Sequence, residues 1–283
     1  MNSNTELGEF LKARRALISP AGDGGPRRRV PGLRREEVAV LAGVSTDYYT
    51  RLEQGRHKRP SESVLGALAK ALELDETAAG HLFNLARSVS GSGRNIPSSS
   101  IQRVRPSLHQ LLDSFTGHPA FIRGRRTEVL CMNALAASLL TDFLAKPVRH
   151  RSLIRWAFLD PEARQRYADW EQIAASMVGT LRLDAGRHPH DPLLAQLVGE
   201  LSMNSEEFRT WWADHRVVER RDGIKRFNHP QVGYLEVNYE ALDVTGAPDQ
   251  TLFIYTTDPG SDSEAKLRDL AALLNGQGPA PEA

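Results

Sequence analysis

Residues 38–55 read Val-Ala-Val-Leu-Ala-Gly-Val-Ser-Thr-Asp-Tyr-Tyr-Thr-Arg-Leu-Glu-Gln-Gly, and their spacing predicts two short helices around a tight turn. Val38, Leu41 and Val44 form the apolar side of the first helix and the turn, and Ala39 is small enough for a second helix to cross close by. Gly43 stands where the chain must leave the helix, a position that favours positive φ. Ser45 follows as an N-cap, and Tyr49 and Leu52 point inward at a spacing of three. Thr46, Asp47, Tyr48, Thr50 and Arg51 are left facing solvent.

A helix with buried rear anchors and an exposed row of hydrogen-bonding side chains fits the major groove of B-DNA. A helical hairpin in an ordinary bundle shares the same outline. Flanking charge favours the DNA reading. Arg27-Arg28-Arg29 and Arg34-Arg35 precede the unit and Arg56-His57-Lys58-Arg59 follows it, where phosphate contacts are expected. The pattern Gly43-Val44-Ser45-x-x-x-Tyr49-Thr50-x-Leu52-Glu53-x-Gly55 resembles the recognition-helix signature of the Cro/lambda-repressor (XRE) type of helix-turn-helix, and the likeness spans residues 7–88. Tyr49 replaces the usual Ile or Val of that family. The resemblance implies that Thr46, Asp47 and Arg51 reach base edges and that Ser45 and Thr50 contact mainly the backbone. Tyr48, Arg34, Arg56, Lys58, Arg27, Arg28 and Arg29 complete the expected interface. Glu53 is structural in that family, tying the recognition helix to the next loop.

At 283 residues the chain has room for two domains. Residues 1–106 hold 17 Lys and Arg against 11 Asp and Glu, a net of +6; with +1 overall, the remainder carries −5. Positive charge is therefore concentrated around the DNA motif. The single cysteine, Cys131, excludes an internal disulfide framework and a Cys-rich zinc site, and a buried thiol is its expected state. No apolar run reaches the roughly 18 residues of a membrane span, and the N-terminus has no signal-peptide pattern. A cytoplasmic protein without membrane contact is expected.

Leu7, Phe10, Leu11 and Leu17 make the stripe of a first helix, with Arg14 and Arg15 on its flank. Residues 19–32 read as a loop near the DNA backbone. Ser61 and Asp75 cap a fourth and a fifth helix. The expected layout is a helix-turn-helix domain over 1–88, a Ser/Gly-rich linker over 89–103, a second domain over 104–275 and a disordered tail over 276–283. In the second domain, 119–123 and 127–132 read as a hairpin joined by Gly124-Arg125-Arg126. Residues 133–144 read as a helix. Asp160-Pro161 opens one long helix carrying Tyr167, Trp170, Ile173, Ala174, Met177 and Leu181 inward. Pro192 opens another and Ser205 caps a third. Three strands follow, over 223–228, 234–242 and 251–257, then a helix over 263–274. The fold class is α+β: an N-terminal all-α domain of five helices, then a PAS-like antiparallel sheet domain with helices.

His118-Pro119-Ala120-Phe121, Asn133, Phe158-Leu159-Asp160-Pro161, Trp170, Asp191-Pro192, Phe208-x-x-x-Trp212-x-x-His215 and Phe227-x-His229-Pro230-x-x-Gly233 resemble the MmyB-type ligand-binding domain over about 105–272. The resemblance implies a PAS-like pocket for a fatty-acid-like molecule. That family usually has Asp where this chain has Arg216; if the position sets pocket charge, Arg216 favours an anionic head group. Candidate pocket residues are Phe121, Leu130 and Met132 on the sheet side, with Phe143, Trp156, Phe158, Trp211 and Trp212 on the helix side. His215 and Arg216 are placed at the mouth. Periodicity alone does not separate a cavity wall from a filled core.

Nine histidines invite a metal reading, but His188 and His190 bracket a proline and read as loop residues, so no metal or cofactor is expected. His215 and His229, each beside aromatic residues, either bond within the framework or face a ligand. No nucleophile elbow, phosphate loop or His-Glu-x-x-His is present, which argues against an enzyme. The sequence is read as a transcriptional regulator. Its partners are operator duplex DNA, a small apolar or fatty-acid-like molecule and a second copy of itself. The alternative is a second domain that serves as a protein-interaction or dimerisation module without a ligand.

Overall fold

The computed structural model of the protein describes residues 3–19, 32–56, 60–89, 102–215, 217 and 221–276. The expected loop at 20–31, most of the linker (90–101), the tail from 277, and Arg27, Arg28, Arg29, Lys58 and Arg216 lie outside the described residues. The chain packs as two compact units: Met1–Ser99 with Arg182–Gln196 and Thr210–Glu219, and Ser100–Leu181 with Leu197–Arg209 and Arg220–Ala283.

The first unit opens with five helices, α1 (Ser3–Leu17), α2 (Arg35–Leu41), α3 (Thr46–Glu53), α4 (Glu62–Ala71) and α5 (Glu76–Val89). Their starts follow from local chemistry. The hydroxyls of Ser45 and Ser61 accept the amides of Tyr48 and Val64, and the Asp75 carboxylate accepts that of Ala78. Gly43 leaves α2 with φ +65°. Leu7, Phe10, Leu11, Val38, Tyr49, Leu52, Leu68 and Leu82 form the core, joined by Leu183 and Val217. Gly8 decides how closely α1 approaches α3, because a Cβ there would stand 2.3 Å from the Glu53 carbonyl oxygen. Two expected core positions differ. Leu17 and Leu41 are the last residues of α1 and α2 and are 55% and 61% exposed, because each helix ends as its stripe leaves the core.

The second unit holds a five-stranded antiparallel sheet of order β2-β1-β5-β4-β3, built from β1 (Ala120–Arg123), β2 (Val129–Met132), β3 (Asp222–His229), β4 (Gly233–Asp243) and β5 (Thr251–Thr256). The hairpin, the inserted helices and the three late strands follow the order read from the sequence. Along β4, Leu235, Val237, Tyr239 and Ala241 are buried while their neighbours are not, the period-two pattern of a strand with one wet face. Two helices went unread, α6 (Pro106–Ser114) and α8 (Leu153–Leu159). Between them α7 (Ala134–Leu139) stops well short of 144, because the Asp142 carboxylate takes the amides of Leu144 and Ala145 into a turn. β2 begins two residues late, since Arg126 and Thr127 adopt left-handed φ values of 55° and 57°.

The single long helix expected from Pro161 is two helices, α9 (Pro161–Arg166) and α10 (Trp170–Arg187). Tyr167 pairs with Phe227 as an isolated bridge and the Ala168 amide donates to the Arg226 carbonyl, so β3 captures the backbone that would have continued the helix. The remaining helices are α11 (Pro192–Asn204), α12 (Glu206–Ala213) and α13 (Asp262–Leu274), the last capped by Ser261.

Candidate functional site

Thr46, Asp47 and Arg51 stand exposed on one face of α3, while Tyr48 and Thr50 are half-buried. Arg51 and Asp47 are one helical turn apart and form a 2.8 Å ion pair with both side chains largely in solvent. Ser45 has its hydroxyl committed to the cap, where it accepts the Tyr48 amide at 3.1 Å. Arg34 and Arg56 are exposed at the two ends of the two-helix unit. Of the twelve residues named for DNA contact, eight are described, and six of these are exposed while Tyr48 and Thr50 are half-buried.

Glu53 anchors that surface from behind. Its carboxylate receives Arg15 in a two-pronged contact at 2.9 and 3.1 Å and Arg35 at 2.8 and 3.0 Å, with the Glu53 side chain only 1% exposed. Burial alone would raise its pKa; the two guanidinium groups outweigh that and hold the carboxyl below its ordinary range. Arg15 also donates to the Leu33 carbonyl at 2.7 Å. Glu53 thus ties the recognition helix to α1 and to the start of α2.

In the second unit a cavity of about 70 Å³ opens between the sheet and α10. Phe121, Arg123, Lys225, Tyr239 and Phe253 form its sheet wall, and Ile173, Ser176 and Met177 face them from α10. Phe121 and Phe253 stack at 5.0 Å. The Lys225 ammonium lies 4.7, 5.1 and 5.7 Å from the ring centres of Tyr239, Tyr255 and Phe253 and donates to the Tyr255 hydroxyl at 2.9 Å. The Arg123 guanidinium lies 4.9 Å over the Phe253 ring. Enclosure away from water, with the Arg123 charge adding to it, lowers the Lys225 pKa from 10.5 to about 7. At the cavity floor the Thr127 hydroxyl lies 3.0 Å from that of Ser152 and accepts the Ile154 amide, which holds its left-handed backbone.

Of the ten residues expected to line a pocket, Phe121 lies on this cavity. Trp156 and Phe143 pack edge to face, as do Phe158 and Phe208, within the aromatic core. Trp156 also borders a more open cleft with Lys146, Arg155 and Asp160. Leu130 packs on the cluster of Leu108, Leu112 and Ile122, and Met132 is buried opposite Phe121 in the β1–β2 register. Trp211 is half-buried on α12. Trp212 and His215 belong to the first unit, where Arg182 lies 4.1 Å over the Trp212 ring and 3.1 Å from His215 Nδ1. Burial and the Arg182 charge lower the His215 pKa to about 4. His229 Nε2 lies 3.0 Å from the Ser138 carbonyl oxygen. Cys131 is buried with its Sγ 2.9 Å from His109 Nδ1, and burial raises its pKa to about 11.

Lys225 and Arg123 escaped sequence reasoning. One signal was available: Lys225 shares the strand face of Phe227 two residues on, and Phe227 is buried.

Residues 104–270 match the family model of the MmyB-like transcription regulator ligand binding domain, and residues 6–82 match that of a helix-turn-helix domain. Comparison with curated proteins finds no match for the chain.

Proposed function

Because the chain belongs to the family of the MmyB-like transcription regulator ligand binding domain and carries a helix-turn-helix domain ahead of it, we propose that it is a sequence-specific DNA-binding regulator that senses a small apolar or fatty-acid-like molecule. The carrying observation is that one chain joins an exposed, charge-flanked α3 to a cavity with aromatic walls. Thr46, Asp47 and Arg51 read base edges. Arg34, Arg56, Lys58 and the Arg27–Arg29 run hold phosphates. Two copies bind half-sites about one DNA turn apart, and the ligand shifts that assembly between two states of different DNA affinity. Neither matched family is catalytic in description, and among the described residues no helix is long and apolar enough to cross a membrane.

A second reading makes the later domain a protein-docking module without a small-molecule ligand. The enclosed volume of about 70 Å³ is what favours it. Native mass spectrometry of gently purified full-length protein separates the two, because it reports bound mass and oligomer together. Duplex DNA selected from a random pool then shows whether added amphiphiles change DNA affinity. A ligand-free protein whose DNA affinity responds to no amphiphile overturns the sensing reading.

A further inference from the structure

Arg126 and Thr127 are consecutive non-glycine residues with left-handed backbone, φ 55° and 57°. Thr127 is β-branched, so that conformation costs free energy and persists only where neighbours hold it. Both residues are buried in the turn between β1 and β2. The hold comes from the start of α8. The Ser152 hydroxyl donates to the Arg126 carbonyl at 3.0 Å, so the hydrogen shared with the Thr127 hydroxyl, also 3.0 Å away, comes from Thr127. The Ile154 amide donates to the same Thr127 oxygen at 3.1 Å.

The near end of the turn holds a different stretch of chain. The Arg125 amide donates to Gln102 Oε1 at 2.7 Å, and Gln102 Nε2 donates to the Asp249 carbonyl at 3.3 Å. Arg125 itself pairs with the Asp249 carboxylate at 2.8 Å. Gln102 lies so close to Gly124 that a Cβ on the glycine would stand 2.4 Å from Oε1. Beside it Gln250 donates to the Arg103 carbonyl and Arg105 to the Thr245 carbonyl. Residues 102–105 are the first described after Val89, the end of the helix-turn-helix stretch, and they belong to no helix or strand. Side-chain bonds and the packing of Val104 are what fix them. Thr127, two positions from Arg125, also borders the cavity between the sheet and α10, together with Leu153.

We infer that the Arg125–Thr127 turn is a strained relay that links the cavity to the segment leading from the DNA-binding domain. A group pressing on Thr127 breaks its bonds to Ser152 and Ile154. The backbone then relaxes to negative φ, the Arg125 amide turns away from Gln102, and residues 102–105 come loose. This rests on the ligand-sensing regulator reading above and gives it a route and a switch residue. A purely structural turn would make the same hydrogen bonds. Only a relay driven by strain is released by a β-branched residue and spared by glycine.

Two variants of full-length protein at one position make the test, with circular dichroism to check folding. Thr127→Val keeps the shape and the strain but loses both hydroxyl bonds. Thr127→Gly loses the same bonds and the strain with them. Trypsin cleavage after Arg103, followed by mass spectrometry, reads how often the segment opens. The valine variant should be cut about tenfold faster than wild type, and the glycine variant within about twofold of it. Gln102→Ala, which removes the tether directly, should be cut fast with the turn intact. If Thr127→Val does not fold, Ser152→Ala takes its place, and adding Thr127→Gly to it should slow the cut again. Equal cleavage of the valine and glycine variants, or no increase with valine, overturns the relay. Affinity for selected duplex DNA should differ between the valine variant and wild type and not between the glycine variant and wild type. Faster cleavage with unchanged DNA affinity overturns the regulatory role while leaving the DNA-binding reading standing. Wild-type protein that selects no duplex from a random pool overturns that reading instead.

Discussion

Glu53, buried, and Lys225, half-buried, are two charges set among packed side chains, one in each unit, and they are treated in opposite ways. Glu53 receives four nitrogen contacts from Arg15 and Arg35, and its pKa falls below the ordinary range despite burial. Lys225 meets three aromatic rings, a tyrosine hydroxyl and the repulsion of Arg123, and its pKa falls toward neutral. A satisfied buried charge is a bolt: it holds α3 against α1 and α2 so that the exposed side chains of α3 sit on a rigid rear. Lys225 is held instead by ring faces and one hydroxyl at the edge of a cavity. Fold alone does not distinguish them; the neighbours within a few ångströms do.

The sharpest way to break this contrast is to remove the bolt. Glu53→Gln leaves Arg15 buried without a carboxylate and should cost about 3–5 kcal/mol in urea unfolding of the full chain. Its pH dependence carries the sign. The native Glu53 pKa is depressed, so its stabilisation is present above the ordinary carboxylate range and lost as pH falls through the native value. The gap between wild type and variant should therefore close on acidification below about pH 4.5. A gap that is unchanged by acid would mean that packing, and not charge, makes Glu53 necessary.

Next in size is Gly8→Ala. A methyl 2.3 Å from the Glu53 carbonyl oxygen forces α1 and α3 apart and should cost about 1–3 kcal/mol, read by the same unfolding curves. An unchanged midpoint would show that the crossing is not as tight as the geometry requires.

Arg51→Ala tests the front of α3 while sparing its rear. It should weaken selected duplex DNA by about 1–3 kcal/mol and relax sequence preference at one position, with melting temperature unchanged. Equal loss on selected and random DNA reassigns Arg51 to phosphate contact.

The last test is Lys225→Met in the absence of any ligand. Enclosure disfavours the ammonium, so its removal should stabilise the free protein. The native pKa is about 7 against 10.5 for the ordinary side chain, so the full gain appears below pH 7 and fades as pH rises toward 10.5. A destabilised variant at pH 6 would show that Lys225 has a structural partner and would remove the contrast with Glu53.

Much of this was legible in the chain itself. Ser45, Ser61, Asp75 and Ser205 mark helix starts because their side-chain oxygens accept amides two or three residues on, a purely local event. The wet and dry faces of β4 follow from alternation alone. The exposed row on α3 follows from helical phase. What stayed hidden depends on distant residues. The Arg15–Glu53 bridge spans 38 positions, and nothing local places a flank arginine of α1 inside the core.

The break between α9 and α10 is of the same kind. Residues 161–187 carry an unbroken helical pattern, yet a strand some sixty positions later claims the backbone at Tyr167 and Ala168. The candidate pocket shows the limit most clearly. Ten large or polar side chains were nominated by type and motif, and Phe143, Trp156 and Phe158 pack into the aromatic core instead, because an aromatic side chain frames a cavity or plugs it depending on what stands opposite. The sequence by itself determined the order of helices and strands along the chain and the exposed face of α3, since periodicity and capping act within a turn or a strand. Only the tertiary structure decided which charges are satisfied and where space is left. Pairing and packing are properties of surfaces that the chain brings together from far apart, and it is there that Glu53 found two partners and Lys225 found rings.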